Sequence, residues 1–432
     1  MSGDSAENSR KYTDFQREFN PEPPAVMWID LNSAFATTEQ QAHISLRGRP
    51  VGIANRVSRN CCIITASYEA RAAGVKTGMR REEALKLCPD LVILESDPPK
   101  YRFVHEKLFA IMNDFSPKCE MKSIDEGTLD FHHLPEKNRE QKLREIGAEI
   151  KARVRVEIGD YMTINVGIGP NRFLAKMAAG LHKPNGLDVL DRENTQEIFA
   201  NLKLEDLTGI AKGYGKRLRE NGIFTPADFL AAREETLKNR VFRGIVGTYW
   251  WRRLRGYEID DYKSQLSMVG RQWVVGLPTS DEEYLRSCLH YLTETVAMKL
   301  RFKGQAARGA CVWLGFAAGD GWHEKKLYTE PCHTNDEIWR RVSEIFANRP
   351  AGKVKIMGIY LYKFEPAKEQ ISFLQEKIRA ERYTLAIDQV NGKYGIFTAH
   401  SAESLTGKKN IKQKIPFGGG STTDYFQLLL GR

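Results

Sequence analysis

The sequence lacks any apolar run near the roughly 18 residues a membrane-crossing helix needs, and its polar opening, MSGDSAENSRKYTDF, lacks the basic-then-apolar layout of a secretory leader. A cytoplasmic location is expected. Paired cysteines are lacking too. The seven present (Cys61, Cys62, Cys88, Cys119, Cys288, Cys311, Cys332) are scattered, and no C-x-x-C spacing offers a zinc site or redox centre. Reduced thiols follow, and the adjacent Cys61 and Cys62 read as packing residues on opposite faces of a strand. Charge is not balanced: 65 Lys and Arg against 55 Asp and Glu leave a formal +10. That excess suits a polyanion, either nucleic acid or an acidic membrane face, and does not choose between them.

What is present is long enough for several domains, since 432 residues with 41% hydrophobic content exceed one ordinary core. Residues 1–24, polar and ending in PEPP, are expected to be a disordered tail. AVMWID then reads as a buried strand delivering an acid to a sheet edge, and CCIITASY as a second strand. EEALKLCPDL reads as a helix closed by Pro89, and residues 101–115 as a longer amphipathic helix. CEMKSIDEGTLDF has the form of a hairpin with an acidic pair at its tip. A charged helix over about 136–158, the strand MTINVGIG and a helix from Asn171 to about Gly180 complete an α+β domain through about residue 190. Residues 191–262 read as a small basic helical domain, within which Trp250, Trp251 and Arg252 are core and surface rather than base-stacking residues. Residues 264–375 return to strand–helix–strand halves of the ferredoxin-like kind. From about 390 the chain is rich in Gly, Lys and Ser and is expected to be loose, apart from an apolar cluster at its end.

Asp30 closes one buried strand, and Asp125 with Glu126 stands at the hairpin tip. Buried adjacent carboxylates repel unless a cation compensates. Magnesium is the natural candidate, because carboxylates plus substrate phosphates are how that ion is held in phosphoryl-transfer sites. A solvated acidic turn is the other reading of Asp125 and Glu126, and both stand at this point.

Five strings occur in an order and at a spacing that resemble the Y-family (translesion) DNA polymerases: IDLNSAFATTE (Ile29 to Glu39), TASYEARAAGVKTGM (Thr65 to Met79), SIDEGTLD (Ser123 to Asp130), INVGIGPNRFLAKMAAGLHKPNG (Ile164 to Gly186) and TGIAKGYGKRLRENGI (Thr208 to Ile223). The resemblance covers about residues 26–262; residues 264–375 match that family's little finger by position and pattern only. It implies an α+β multidomain right-hand fold. Its parts would be a palm (25–33 and 97–190), fingers (34–96), a helix-hairpin-helix thumb (191–262), a little finger (264–375) and a C-terminal tail (376–432).

The same resemblance implies low-fidelity, template-directed DNA synthesis past lesions, in DNA repair and the SOS response. Asp30, Asp125 and Glu126, with the Leu31 carbonyl, would hold two magnesium ions, for which manganese can substitute. One ion would acidify the primer 3′-hydroxyl and the other neutralise the triphosphate. Tyr68, Arg71 and Lys183 correspond to triphosphate-binding residues, with Thr65 close to the phosphates, and Phe35 stands at the steric gate against the 2′-hydroxyl. Lys176 is left between a scaffold role and a DNA-backbone contact.

Primer-template DNA and deoxynucleotides are the implied partners of a nucleoid-associated bacterial monomer. DYFQLLLGR resembles a sliding-clamp-binding peptide through Gln427, Leu428 and Leu430; a frayed apolar end is the alternative. Some positions depart from the family pattern. Gly127 and Thr128 stand where Ala-Tyr is frequent, Ala34 precedes Phe35, Ile64 narrows the roof over the template base, and Ala211 replaces a third hairpin glycine. Two rivals remain: a catalytically weak homologue acting as a DNA-bound scaffold, and another palm-like two-metal enzyme such as a nucleotidyl cyclase. Polymerase IV-like and polymerase V-like kinship are not separated.

Overall fold

The computed structural model describes residues 18–59, 61–261, 267–367 and 375–411. The chain divides into two compact units near Tyr262.

In the first unit the order is β1 (Val26–Leu31), α1 (Ala34–Ala42), β2 (Val51–Ala54), β3 (Ile63–Ala66), α2 (Tyr68–Ala72), α3 (Arg81–Leu87), β4 (Val92–Glu95) and α4 (Pro98–Asn113). Next come β5 (Cys119–Met121), β6 (Glu126–Asp130), α5 (Arg139–Glu157), β7 (Ile164–Gly169), α6 (Arg172–Leu181) and β8 (Leu187–Val189). A five-stranded sheet runs β5-β6-β1-β7-β8, and a three-stranded sheet runs β3-β2-β4. VMWIDL takes the centre of the larger sheet because every residue except Asp30 is buried, which suits a strand covered on both faces. It pairs antiparallel with both β6 and β7.

Successive residues of β7 serve opposite faces. Val166 meets α5 at Gly147, whose missing Cβ would lie 3.0 Å from Val166 Cγ1. Gly167 and Gly169 meet α6 so closely that a Cβ would fall 2.0 Å from the Ala175 carbonyl oxygen and 2.6 Å from the Ala175 nitrogen. Asn171 starts α6 at a fixed place, its Oδ1 accepting from Leu174 N–H at 2.8 Å.

Helices α7 (Thr195–Ala200), α8 (Lys212–Glu220), α9 (Pro226–Ala231) and α10 (Val246–Leu254) enclose Phe199, Leu218, Phe229, Phe242 and Trp250. Trp250 is core, Trp251 half-buried and Arg252 exposed. The expected disordered tail is corrected at its end: Phe19 is 2% exposed within this helical core. Asn20 N–H donates to the Arg255 carbonyl, and the Arg255 guanidinium reaches Glu18 at 3.1 Å. One aromatic anchor in a polar stretch leaves no compositional trace.

The second unit contains β9 (Met268–Thr279), α11 (Glu282–Phe302), β10 (Gln305–Phe316), β11 (Gly321–Cys332), α12 (Asn335–Ala347) and β12 (Val354–Pro366). The sheet order is β11-β10-β12-β9, antiparallel throughout. Each strand–helix–strand half is therefore split by a strand from the other half, as expected of the ferredoxin-like kind. β11 was not singled out as a strand, because GWHEKKLYTEPC is mostly exposed edge.

The expectation of a loose chain from about residue 390 is corrected through residue 411. Helix α13 (Gln375–Tyr394) and the short α14 (Leu405–Asn410) fold onto α11. Arg301 grips Asp388 with two bonds of 2.6 and 2.7 Å, Phe397 packs on Tyr291 at 4.4 Å, and Gly407 N–H donates to Ser287 Oγ. These anchors are isolated among polar residues, so no hydrophobic period announces them. Gln427, Leu428 and Leu430 lie outside the described residues. Among the described residues no helix is long and apolar enough to cross a membrane.

Candidate active site

Pairing of β1 with β6 sets Asp30 opposite Glu126, and Leu31 N–H donates to the Asp125 carbonyl at 2.8 Å. Asp30 thus shares one end of the large sheet with Asp125 and Glu126, almost a hundred residues away in sequence. Burial raises the pKa of Asp30 and of Asp125 above the usual carboxylate range, and the neighbouring acids push the same way. Ser123 Oγ donates to Asp125 Oδ1 at 2.5 Å and partly offsets this.

Two lysines answer the negative charge. Lys183 Nζ donates to Asp30 Oδ1 at 2.7 Å. Lys176 Nζ donates to both oxygens of Glu126, at 2.9 and 2.8 Å, and sits 4.5 Å above the Trp28 ring centre. Trp28 Nε1 adds a third donor to Glu126, at 3.2 Å. Among the described residues no three His, Cys, Asp or Glu side chains converge as a ready metal cage. Strand pairing nonetheless brings Asp30, Asp125 and Glu126 together. They occupy one sheet end, with Asp30 turned to Lys183 and Glu126 to Lys176, because an ammonium is the nearest available relief for a buried carboxylate.

The Lys183 turn is held against β1 by Asn32, whose Oδ1 accepts from Asn185 N–H at 2.9 Å and whose Nδ2 donates to Asn165 Oδ1 at 2.8 Å. Asn32 and Asn165 were not singled out from sequence, since buried asparagines carry no periodic signal. Tyr68 leads α2 beside Asn32 and Ser33. Its buried Oη and the Ser33 Oγ are near these polar neighbours but form no well-aligned hydrogen bond. Burial first, and Asp30 also, raise the Tyr68 pKa. Arg71 is exposed, its guanidinium 5.4 Å from the Tyr68 ring centre and its Nε donating to the Ala66 carbonyl at 3.0 Å. Thr65 and Ile64 are half-buried on β3. Hard oxygen donors, raised carboxylate pKa values and two orphaned hydroxyls fit a site for divalent cations and a polyanion.

Residues 29–180 match the impB/mucB/samB family, and residues 268–373 match the family's C-terminal domain. A DNA polymerase IV of Moorella thermoacetica is 30% identical over 410 residues, covering 89% of this chain and 96% of the relative. DNA polymerase IV 1 of Bacillus subtilis is 29% identical over 417 residues, covering 93% and 97%. This chain belongs to the impB/mucB/samB family. Among solved structures, a Y-family DNA polymerase chimera, Dbh-Dpo4(243-245)-Dbh, aligns with TM-score 0.66 at 24% identity, over 78% of this chain and 98% of that one. An insertion ternary complex of Dbh DNA polymerase aligns with TM-score 0.55 at 23% identity, over the same shares. The Y-family resemblance and the multidomain α+β right-hand fold expected from sequence are borne out.

Within the impB/mucB/samB frame, two of the departures noted in the sequence, Gly127 and Ala211, acquire physical reasons. At Gly127 a Cβ would lie 2.8 Å from Met121 Sδ and 2.9 Å from Met112 Cε, so two methionines fill the space an alanine would take. Ala211 has φ −102°, ordinary for any L-residue, so the missing third glycine carries no backbone penalty at the start of α8. Phe35, on the first turn of α1, is 5% exposed and stacks on Tyr101 with ring centres 4.3 Å apart and planes 11° from parallel. Tyr101 Oη donates to the buried Glu39 at 3.0 Å, and Lys100 Nζ bonds the other Glu39 oxygen at 2.6 Å. The sequence did not announce this network, because Tyr101 and Lys100 come from α4, far along the chain.

Proposed function

We propose that this protein is a template-directed DNA polymerase of low fidelity, extending primers past lesions in DNA repair and damage tolerance. The supporting observation is Asp30 brought by strand pairing beside Asp125 and Glu126, with Lys183 and the Tyr68 hydroxyl at the same sheet end. In this reading residues 25–33 and 97–190 are the palm, 34–96 the fingers, 191–262 the thumb and 264–375 the little finger.

The carboxylates of Asp30, Asp125 and Glu126, with the Leu31 carbonyl, would hold two magnesium ions, or manganese in their place. When bound, the ions supply charge neutralisation at the triphosphate and acidify the primer 3′-hydroxyl. The chain's own residues do the positioning. Lys183 and Arg71 bring charge to the phosphates, Tyr68 and Thr65 bring hydroxyls, and the Phe35 ring, backed by Tyr101, fills the space a 2′-hydroxyl would need.

The substrates are primer-template DNA and deoxynucleoside triphosphates, and the protein acts as a monomer in the cytoplasm, on bacterial nucleoid DNA. A sliding clamp is its partner through Gln427, Leu428 and Leu430, a reading supported by sequence alone. No observation favours a DNA-bound scaffold, which would have no use for buried unpaired hydroxyls beside repelling acids. Magnesium-dependent primer extension tests the reading. The wild type should add nucleotides and Asp125→Ala should not; an inert wild type sinks the function, and an active Asp125→Ala sinks the site.

A further inference from the structure

We infer that Lys176, backed by Trp28, is a built-in counter-ion that competes with divalent cations for Glu126 and so sets how tightly the site takes metal. The inference rests on the metal-dependent polymerase reading above. A carboxylate offers about four lone-pair directions. Three donors already reach Glu126: two bonds from Lys176 Nζ and one from Trp28 Nε1. One direction is left, so a cation that takes more than that one has to displace the ammonium.

The arrangement has a specific geometry rather than that of a surface ion pair. Trp28 is 6% exposed and packs with Val26, Ala175 and Ala179, so its ring is a fixed floor beneath the ammonium. Holding α6 to the sheet does not require this pair, because Gly167 and Gly169 already bring Ala175 into direct backbone contact with β7. The aromatic floor favours an ammonium at this spot. Lys176 thereby holds the Glu126 carboxylate in place, at the cost of occupying the ligand. Lys176 is a positioning residue in this account.

The experiment is Mn²⁺ binding to the full-length protein by titration calorimetry, without nucleotide or DNA. K176M should bind Mn²⁺ about two- to fivefold more tightly than wild type, the scale of one ion pair removed, and K176R, which keeps a cation, should return most of the way to wild type. Mg²⁺ should also change the tryptophan emission of the wild type, and W28F should lack that component. Unchanged or weaker Mn²⁺ binding in a folded K176M overturns the inference while leaving the polymerase reading intact. A wild type that binds no Mn²⁺ overturns both. If K176M fails to fold by circular dichroism, the emission comparison decides, and a Mg²⁺ response equal in wild type and W28F overturns the proposal.

Discussion

Asp125 shows at the scale of one residue how function and stability oppose each other here. Its carboxyl and that of Asp30 hold protons to higher pH in the folded chain than in the unfolded one, first because they are buried. The folded state is therefore relatively favoured at low pH, and that advantage is lost as pH rises through the raised values, above the ordinary range near about 4. Asp125→Asn should abolish extension yet melt higher than wild type at neutral pH in chelator. The expected gain is on the order of 1 kcal/mol, about 2–4 °C, and the gap should close on acidification; a gap that widens toward acid would contradict the sign. Phe35→Ala should raise ribonucleotide incorporation sharply in primer extension, with an unchanged ratio refuting the gate. Asp125 stood out in the sequence as half of an acidic pair, whereas Phe35 stood out only through its motif, since an isolated Phe35 reads as core, and at 5% exposure it is buried.

At the scale of elements, the closest approach is α6 on β7. Gly167→Ala should cost about 3 kcal/mol in urea unfolding, because its Cβ would strike the Ala175 carbonyl. Gly180→Ala, in the same helix with nothing within 4 Å of the added Cβ, should be neutral or stabilising by up to about 1 kcal/mol. Strong periodicity made α4, α5, α6, α11 and α12 legible, and the apolar runs gave β1, β7, β10 and β12. Elements held by single anchors were not legible. The Asp388, Phe397 and Gly407 contacts of α13 and α14, and Phe19 against Gly256, lie in stretches whose average composition is polar. Phe397→Ala should destabilise the second unit by about 3 kcal/mol, measured as a lowered midpoint of its own unfolding transition.

For the whole molecule, the +10 formal charge belongs with a partner whose phosphates are held without reading sequence. Affinity for primer-template DNA should fall steeply and linearly on a log–log salt plot; a flat plot would show that phosphate contacts carry little of the binding. Removing residues 425–432 should abolish clamp-stimulated synthesis and spare basal synthesis, and equal loss of both would argue against a docking peptide.

The sequence alone determined the chemistry available. Five motifs in order fixed the family, the acidic residues and the basic groups around them, because residue identity carries charge and donor type directly. The tertiary structure decided what those groups touch. Strand register set Asp30 opposite Glu126, and the packing of α6 put Lys176 on Glu126 above Trp28. Distances between residues far apart in the chain depend on pairing and packing, which no local pattern of residues encodes.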